Sequence, residues 1–256
     1  MEAELLREGE RIDDLQRQGR RIIQHPGRFC FGMDAVLLSA FARAYPGEKV
    51  TDLCTGTGVI PILMDSRRPD AFYRGVELQS ESADMACRSV RLNGRDDNIV
   101  ICEGDVRAPD TLGRPGSQDV VTVNPPYVRA ASGMQNRLDP MSLARHEVSC
   151  TLLDVLRAAA WLLRSHGRFY MVHRPERLTE ILTGMHEMRI EPKKLCLVYP
   201  KAMREPNMLL IEGMRDGSQG MRITKPLIIY EEDGTYTAPV KAIYEADHVE
   251  DQFTLL

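Results

Sequence analysis

The sequence of 256 residues lacks an apolar run close to the roughly 18 residues that a membrane-spanning helix needs. Its charged first stretch, MEAELLREGERIDD, does not place an apolar segment after a basic one, as a signal peptide would. We therefore expect a soluble, cytoplasmic protein without a membrane partner. Hydrophobic residues make up 43% of the chain, which is enough for a sizeable core.

The sequence also lacks paired cysteines. None of its six cysteines stands in a CxxC pair or in a His/Cys cluster with the spacing of metal ligands. This absence argues against a structural metal site and predicts reduced thiols in the core. The cysteines are Cys30, Cys54, Cys87, Cys102, Cys150 and Cys196.

An excess of positive charge is missing as well, since the formal net charge is −4. A protein coated in basic surface for nucleic acid is therefore not expected. The charges are unevenly distributed, however: residues 164–225 contain 12 Lys and Arg against 7 Asp and Glu, whereas residues 231–256 contain one Lys against seven acids. A local phosphate-binding region is compatible with this pattern, although most charged segments are simply solvated faces.

Strand and helix patterns alternate from residue 47 onward, with no internal repeat and no low-complexity linker. This alternation predicts an α/β fold with a doubly wound, mostly parallel, Rossmann-like sheet. The last third lacks long helices and predicts an antiparallel edge strand, NMLLIEGM, and a small C-terminal hairpin that turns at Asp233-Gly234. We expect an N-terminal segment and helix (1–46), a central domain (47–215) and a C-terminal extension of that domain (216–256).

A glycine-containing turn, Asp52-Leu53-Cys54-Thr55-Gly56-Thr57-Gly58, follows the first strand of this alternation. Glycines at such a turn let the backbone approach a ligand closely, although a lone Gly-x-Gly is weak evidence for a nucleotide site. Acids at the ends of the next two strands strengthen the evidence for a nucleotide site. Glu77 is placed to accept hydrogen bonds from ribose hydroxyls, and Asp105 to accept one from an adenine amino group.

The pattern D-x-x-x-G-x-G resembles the first motif of class I S-adenosylmethionine-dependent methyltransferases, although Cys54 stands where that family most often has Gly. The resemblance implies that S-adenosylmethionine is the cofactor. Asp52 at the strand end suits a cation better than a phosphate. The implied cofactor contacts in and after the turn are Asp52, Thr55, Gly56, Thr57, Gly58, Glu77, Leu78, Asp105 and Asn124.

The sequence Asn124-Pro125-Pro126-Tyr127 follows a later apolar strand, and its prolines make the chain stiff there. It resembles the [D/N/S]-PP-[Y/F/W] motif of methyltransferases that act on amino groups. The resemblance implies that the Asn124 side-chain oxygen and the Pro125 carbonyl accept hydrogen bonds from a weakly nucleophilic NH2 group, while Tyr127 stacks on an unpaired base. A proline-rich turn with a partly buried Tyr is the structural alternative.

The segment RFCFGMDAVLLSAF resembles the start of the bacterial tRNA(Val) adenine-N6 methyltransferase family, and the likeness continues to the hairpin LIIYEEDGTYT. It implies methylation of an adenosine beside the anticodon of a tRNA, with Phe31 and Asp34 helping to enclose the cofactor. Asp34 can equally be a helix N-cap. Four basic residues are candidates for RNA contacts, namely Arg129, Arg137, Lys201 and Arg204.

Three other functions are compatible with parts of the sequence. A release-factor-type protein glutamine methyltransferase resembles the chain in the NPPY motif, but it normally has a separate helical domain before the sheet, where only about 45 residues stand here. A DNA adenine methyltransferase would usually have a larger target-recognition domain than the last residues provide. A noncatalytic RNA-binding module with a methyltransferase fold is the third possibility, and the intact Asn124 disfavours it. The sequence does not predict the oligomeric state.

Overall fold

The computed structural model describes residues 3–28, 30–126, 150–245 and 253. A short antiparallel hairpin comes first, formed by β1 (Arg11–Asp14) and β2 (Arg21–Gln24), and was not predicted from the sequence. Helix α1 (Met33–Phe41) follows. It ends four residues earlier than its sequence pattern suggested, because the backbone turns extended at Ala42.

Three parallel strands and two helices come next, as predicted: β3 (Lys49–Leu53), α2 (Val59–Arg67), β4 (Phe72–Glu77), α3 (Ser80–Leu92) and β5 (Ile99–Glu103). Strand β6 (Gln118–Val123) then returns to pair with β3 on the side opposite β4. The strand order therefore reverses at β3. In open sheets of this kind, ligands bind beyond the carboxyl ends of the strands at such a reversal.

The second half begins at α4 (Leu152–Leu162), whose first turn is closed by a capping box between Thr151 and Asp154. Strand β7 (Leu163–His173) starts directly after α4. Helix α5 (Leu178–Glu187) leads to β8 (Ile190–Tyr199), and β9 (Met208–Arg215) turns back from it.

The antiparallel strand is β9, and it pairs with both β7 and β8. It therefore lies inside the sheet and not at its edge, where the sequence placed it, since the crossover through α5 leaves a gap between β7 and β8 that the returning chain fills. Two short strands, β10 (Arg222–Ile223) and β11 (Leu227–Ile228), pair with the outer side of β8. The sheet order is β10-β8-β9-β7-β6-β3-β4-β5.

The predicted C-terminal hairpin is present only as a tight turn. Tyr230 and Tyr236 form an isolated antiparallel bridge around Gly234, which has a φ of +87°. The chain before the turn instead continues along β8, where the Ile229 N–H donates to the Tyr199 carbonyl. Helix α6 (Ala238–Glu245) follows and was not predicted.

Apolar side chains pack on both faces of the sheet. On β7, Tyr170 and Val172 join one buried cluster with residues of α1, α2 and α6, whereas Phe169 and Met171 join the other with residues of α4 and α5. The two-faced burial of alternate residues is what a doubly wound sheet requires. Among the described residues, no helix combines the length and apolar character needed to cross a membrane.

Candidate active site

The candidate site lies at the carboxyl edge of β3, β4 and β6. Leu53 at the end of β3 pairs in register with Val123 at the end of β6. The next residues along each strand are Cys54, which opens the glycine turn, and Asn124, which opens the NPPY sequence. The topology therefore brings the two sequence motifs together as neighbours at one edge of the sheet, at the point where the strand order reverses.

The glycine turn is held against β4. The Thr55 N–H donates to the Val76 carbonyl at 3.0 Å, and the Gly58 N–H donates to the Thr55 carbonyl at 3.0 Å. Gly56 and Gly58 have φ angles of +57° and +85°, which glycine adopts without a steric penalty. Gly58 is also the N-cap of α2, so the turn leads directly into the helix N-terminus.

Cys54 also has a left-handed backbone, with a φ of +57°. A side chain in this conformation brings its Cβ close to the next carbonyl, which costs roughly 1–2 kcal/mol. This explains in physical terms why the related motif most often has Gly at this position. The turn accommodates the Cβ of Cys54, and its side chain packs against the apolar cluster below α4.

Gly75 is a residue that the sequence reasoning missed. It lies within β4 beside the turn, and a Cβ placed there would lie 2.8 Å from Thr55 Cγ2 and 2.9 Å from Thr55 Oγ1. The absence of a side chain therefore lets Thr55 pack onto the strand. A glycine inside an otherwise regular strand was the available signal, since it often marks a close approach by another part of the chain.

Glu77 ends β4 and connects the turn to the next loop. Its Oε2 accepts a hydrogen bond from the Gly56 N–H at 2.8 Å, and its Oε1 accepts one from the Gln79 N–H at 2.9 Å. The side chain is nearly buried, with 9% of its surface exposed. Each carboxylate oxygen retains further capacity to accept a hydrogen bond, so Glu77 can hold a pair of hydroxyl groups.

Asp52 lies beneath the turn and is 1% exposed. Its Oδ1 accepts a hydrogen bond from the Thr122 hydroxyl at 2.7 Å, and no hydrogen bond from the described residues reaches its Oδ2. Burial raises the pKa of Asp52 to about 7, an effect that the Thr55 and Thr122 hydroxyls oppose and the charge of Glu77 reinforces. Asp52 therefore carries less negative charge at neutral pH than an exposed carboxyl at the strand end would.

The remaining predicted contacts of the turn and the strand ends have distinct surroundings. Thr57 is buried, and Leu78 follows Glu77 with 43% of its surface exposed, so its apolar face is available to a flat ring. Asp105 lies two residues beyond the end of β5, and the Arg107 guanidinium contacts it with an Nη2–Oδ2 distance of 2.6 Å. These hydrogen bonds from Arg107 lower the pKa of Asp105. An adenine amino group would share the Asp105 carboxylate with Arg107.

Phe31 and Asp34 lie at the start of α1. The Phe31 N–H donates to Gln24 Oε1 at 2.9 Å, which anchors this segment on β2, and the Phe31 ring packs against the core beside α1. Gly32 is the N-cap of α1, so Asp34 belongs to the first helical turn and accepts from the Ala35 N–H at 2.9 Å. The alternative role of Asp34 as the N-cap is therefore wrong, while its role beside a cofactor stays a prediction.

The NPPY sequence is described in part. Asn124 is partly buried, Pro125 is buried and Pro126 is exposed. Tyr127, Arg129 and Arg137 lie outside the described residues, so their predicted roles are carried forward unchanged.

Lys201 and Arg204 lie in the connection between β8 and β9, at the same edge of the sheet as Asn124. Three strand spacings of about 4.8 Å separate β8 from β6, so the ends of these two strands lie about 14 Å apart along this edge of the sheet. The Lys201 ammonium donates to the Glu232 carbonyl at 2.8 Å, and Arg204 is exposed. At that separation they are too distant to touch a group held by Asn124.

No group of three or more His, Cys, Asp or Glu side chains converges on a possible metal position in the described part of the chain. The site is built from backbone N–H groups, two carboxyl groups, hydroxyl groups and the Asn124 amide. Such a set can bind a small polar ligand and orient an amino group.

Comparisons with known proteins support this picture. The family model described as "Methyltransferase small domain" matches residues 19–188. A tRNA1(Val) (adenine(37)-N6)-methyltransferase of Porphyromonas gingivalis is 28% identical over 214 residues, covering 80% of this chain and 83% of the relative. The enzyme of the same name from Aeromonas hydrophila is 27% identical over 210 residues, covering 80% and 84%.

Solved structures share the fold. A predicted O-methyltransferase from Agrobacterium tumefaciens superimposes with a TM-score of 0.68 at 21% identity, covering 88% of this chain and 98% of that one. A geranyl diphosphate methyltransferase in complex with SAM has a TM-score of 0.52 at 16% identity, covering 72% and 84%.

Proposed function

Because the chain belongs to the methyltransferase small domain family, we propose that it transfers a methyl group from S-adenosylmethionine to the N6 amino group of an adenosine in tRNA, beside the anticodon. The observation that carries the proposal is the position of Asn124 directly after β6, next to the glycine turn that follows β3. Two bacterial proteins named tRNA1(Val) (adenine(37)-N6)-methyltransferase, similar over 80% of the chain, support the choice of substrate.

The residues around the glycine turn fit the methyl donor. Glu77 would accept hydrogen bonds from the two ribose hydroxyls, since its carboxylate is already fixed by the Gly56 and Gln79 N–H groups. Leu78 would contact one face of the adenine ring. The left-handed turn at Gly56 leaves the backbone open to close approach, since no described residue lies within 4 Å of an added Cβ. When bound, S-adenosylmethionine supplies an activated methyl group on its sulfonium.

Asn124 and Pro125 would position the acceptor amine. An exocyclic amine shares its lone pair with the ring, so it is a poor nucleophile whose nitrogen becomes positive as it is methylated. The Asn124 side-chain oxygen and the Pro125 carbonyl would accept its two N–H bonds and stabilise that charge. Because Pro125 and Pro126 restrict the backbone, little reorganisation is needed at the transition state. The proton can then leave to solvent.

The RNA side of the site would use the basic residues at the same edge. Lys201 and Arg204, which follow β8 three strands away from β6, would contact phosphates of nucleotides that flank the target. Tyr127 would stack on the target base, and Arg129 and Arg137 would add phosphate contacts. A hairpin loop suits this arrangement, since its unpaired bases can splay outward without the cost of opening a duplex.

Mass analysis of nucleosides from tRNA incubated with the protein and S-adenosylmethionine tests the proposal. We expect N6-methyladenosine, and no methylation of a glutamine-containing release factor. A methylated guanosine, or a methylated glutamine with unmodified RNA, would refute the choice of substrate. RNA binding with no affinity for S-adenosylmethionine would instead indicate a noncatalytic RNA-binding module.

Substitution of Asn124 tests the catalytic role. We expect Asn124→Ala to lose at least about 100-fold in turnover while donor binding persists, because the lost acceptor acts mainly in the transition state. Asn124→Asp retains an acceptor oxygen, as the related motif allows, and should keep more activity than Asn124→Ala. Equal turnover by Asn124→Ala and the parent protein would refute the role.

A further inference from the structure

Two cysteines meet at the candidate site although 96 residues separate them in the sequence. The Sγ atoms of Cys54 and Cys150 lie 3.9 Å apart, within hydrogen-bonding distance for sulfur. Cys54 belongs to the glycine turn, and Cys150 stands directly before Thr151, the N-cap of α4. Both side chains are partly exposed. All six cysteines are free thiols, as expected, but the expectation that they lie in the core holds for Cys196 and is wrong for the other five, which are partly exposed.

The environment makes the two thiols unequal. The hydrogen bond from the Cys54 thiol lowers the pKa of Cys150, against the opposing effect of burial. The same contact, together with burial, raises the pKa of Cys54 well above its usual value. The positive end of the α4 dipole also favours a thiolate at Cys150. Cys150 is thus the nucleophilic member of the pair, and Cys54 is positioned as its partner.

We propose that Cys54 and Cys150 form a reversible oxidation site, at which hydrogen peroxide converts the two thiols into a disulfide and thereby blocks binding of the methyl donor. In the first step the Cys150 thiolate attacks a peroxide oxygen, the O–O bond breaks, and a sulfenic acid and water result after proton uptake. In the second step Cys54 attacks the sulfenic sulfur, the S–S bond forms and a second water leaves. Two thiols are oxidised and one peroxide is reduced; an added thiol reverses the change by exchange.

The link to donor binding follows from the geometry of the turn. A disulfide requires the sulfur atoms to come within about 2.05 Å, so the pair must close by roughly 2 Å. Cys54 is two residues from Gly56, whose N–H donates to Glu77 at 2.8 Å. Drawing Cys54 toward α4 would shift this N–H and the Glu77 carboxylate that it orients. This inference rests on the proposed donor site, because it assumes that Glu77 holds the ribose.

The test uses the full chain, treated with hydrogen peroxide and compared with its own reduced form. Peptide mapping without reductant should recover a peptide pair linked through Cys54 and Cys150. Calorimetric titration with S-adenosylmethionine should show donor affinity lowered at least about ten-fold and restored by dithiothreitol. Cys150→Ser should lose this sensitivity. Cys30→Ser is the matched control, since Cys30 is also partly exposed, and it should respond as the parent protein does.

Three results would overturn parts of the inference, and they are distinguishable. Absence of the linked peptide would refute the oxidation site, and a linked protein with undiminished donor affinity would refute its effect on binding. A reduced parent protein that does not bind S-adenosylmethionine would refute the proposed donor site, although a linked peptide would still support the thiol pair. Cys54→Gly provides a second variant that cannot form the disulfide and that suits the left-handed turn.

Discussion

The substitution Glu77→Gln gives the sharpest test of the donor site. Gln has nearly the shape of Glu, but its NH2 group cannot accept a hydrogen bond. One of the two oxygens of Glu77 would therefore lose both its backbone partner, Gly56 or Gln79, and its proposed ribose hydroxyl. The remaining oxygen would lose the benefit of a full negative charge. Since hydrogen bonds to charged groups contribute about 1.5–3 kcal/mol each, we expect donor binding to weaken by about 2–4 kcal/mol.

This loss corresponds to an increase of about 30- to 900-fold in the Kd for S-adenosylmethionine. Isothermal titration calorimetry measures it, and thermal unfolding followed by circular dichroism establishes that the variant is folded. Glu103→Gln is the matched control. Glu103 ends β5, where it pairs in register with Glu77 at the end of β4, and its side chain is exposed. A folded Glu77→Gln variant with a Kd within about two-fold of the parent value would refute the ribose assignment, since that difference is below one hydrogen bond.

Three further predictions concern the acid, the turn and the basic edge. Native Asp52 keeps its proton up to about pH 7, whereas the unfolded chain loses it near pH 4, so the stability of the fold should fall as pH rises between these values. Asp52→Asn should flatten this pH dependence of Tm. An unchanged slope of Tm against pH would contradict the shifted pKa. Gly58→Ala, at a φ of +85°, should lower the free energy of unfolding by about 1–2 kcal/mol in denaturant titrations, and no change would contradict the left-handed conformation. Replacing Lys201 and Arg204 by Ala should leave donor binding unchanged. It should reduce the slope of log K for RNA binding against log salt concentration by about 1.4, since each single-strand phosphate contact contributes about 0.7. Arg189→Ala, at the opposite end of β8, should leave that slope unchanged.

The parts of the site that the sequence predicted share a physical origin. In a parallel sheet, the residues after each strand meet at one edge, so strand assignments alone placed the glycine turn, Glu77 and Asn124 together. Local sequence signals were sufficient to locate these residues. Each follows an apolar run that predicts a strand, and the run is followed by glycines, by an acid or by prolines. Helix α2 (Val59–Arg67) begins where the glycine turn ends, because Gly58 is its N-cap.

What the sequence did not predict depends on contacts between distant segments. The meeting of Cys54 and Cys150 requires both β3 and α4 to be in place, and no local pattern records it. Helix α6 is another example, because it is short and its last carbonyls accept hydrogen bonds from two arginines of distant elements, of which Arg17 is buried and Arg67 is partly buried. Arg67 of α2 donates to the Ile243 carbonyl at 3.0 Å, and Arg17 of the N-terminal hairpin donates to the Tyr244 carbonyl at 3.4 Å.

These two arginine contacts bear on the division of the chain into a segment, a domain and an extension. Arg17 is 2% exposed, and burial lowers the pKa of Arg67 to about 9, so both guanidinium groups are held away from water. A buried guanidinium that lost the α6 carbonyls would remain in the interior with fewer partners, which is strongly unfavourable. The cations also complement the negative end of the α6 dipole. The N-terminal hairpin, the central sheet and the C-terminal helix are therefore energetically coupled. Removal of α6 would take a carbonyl acceptor from Arg17 of the hairpin and from Arg67 of α2, and would destabilise both parts.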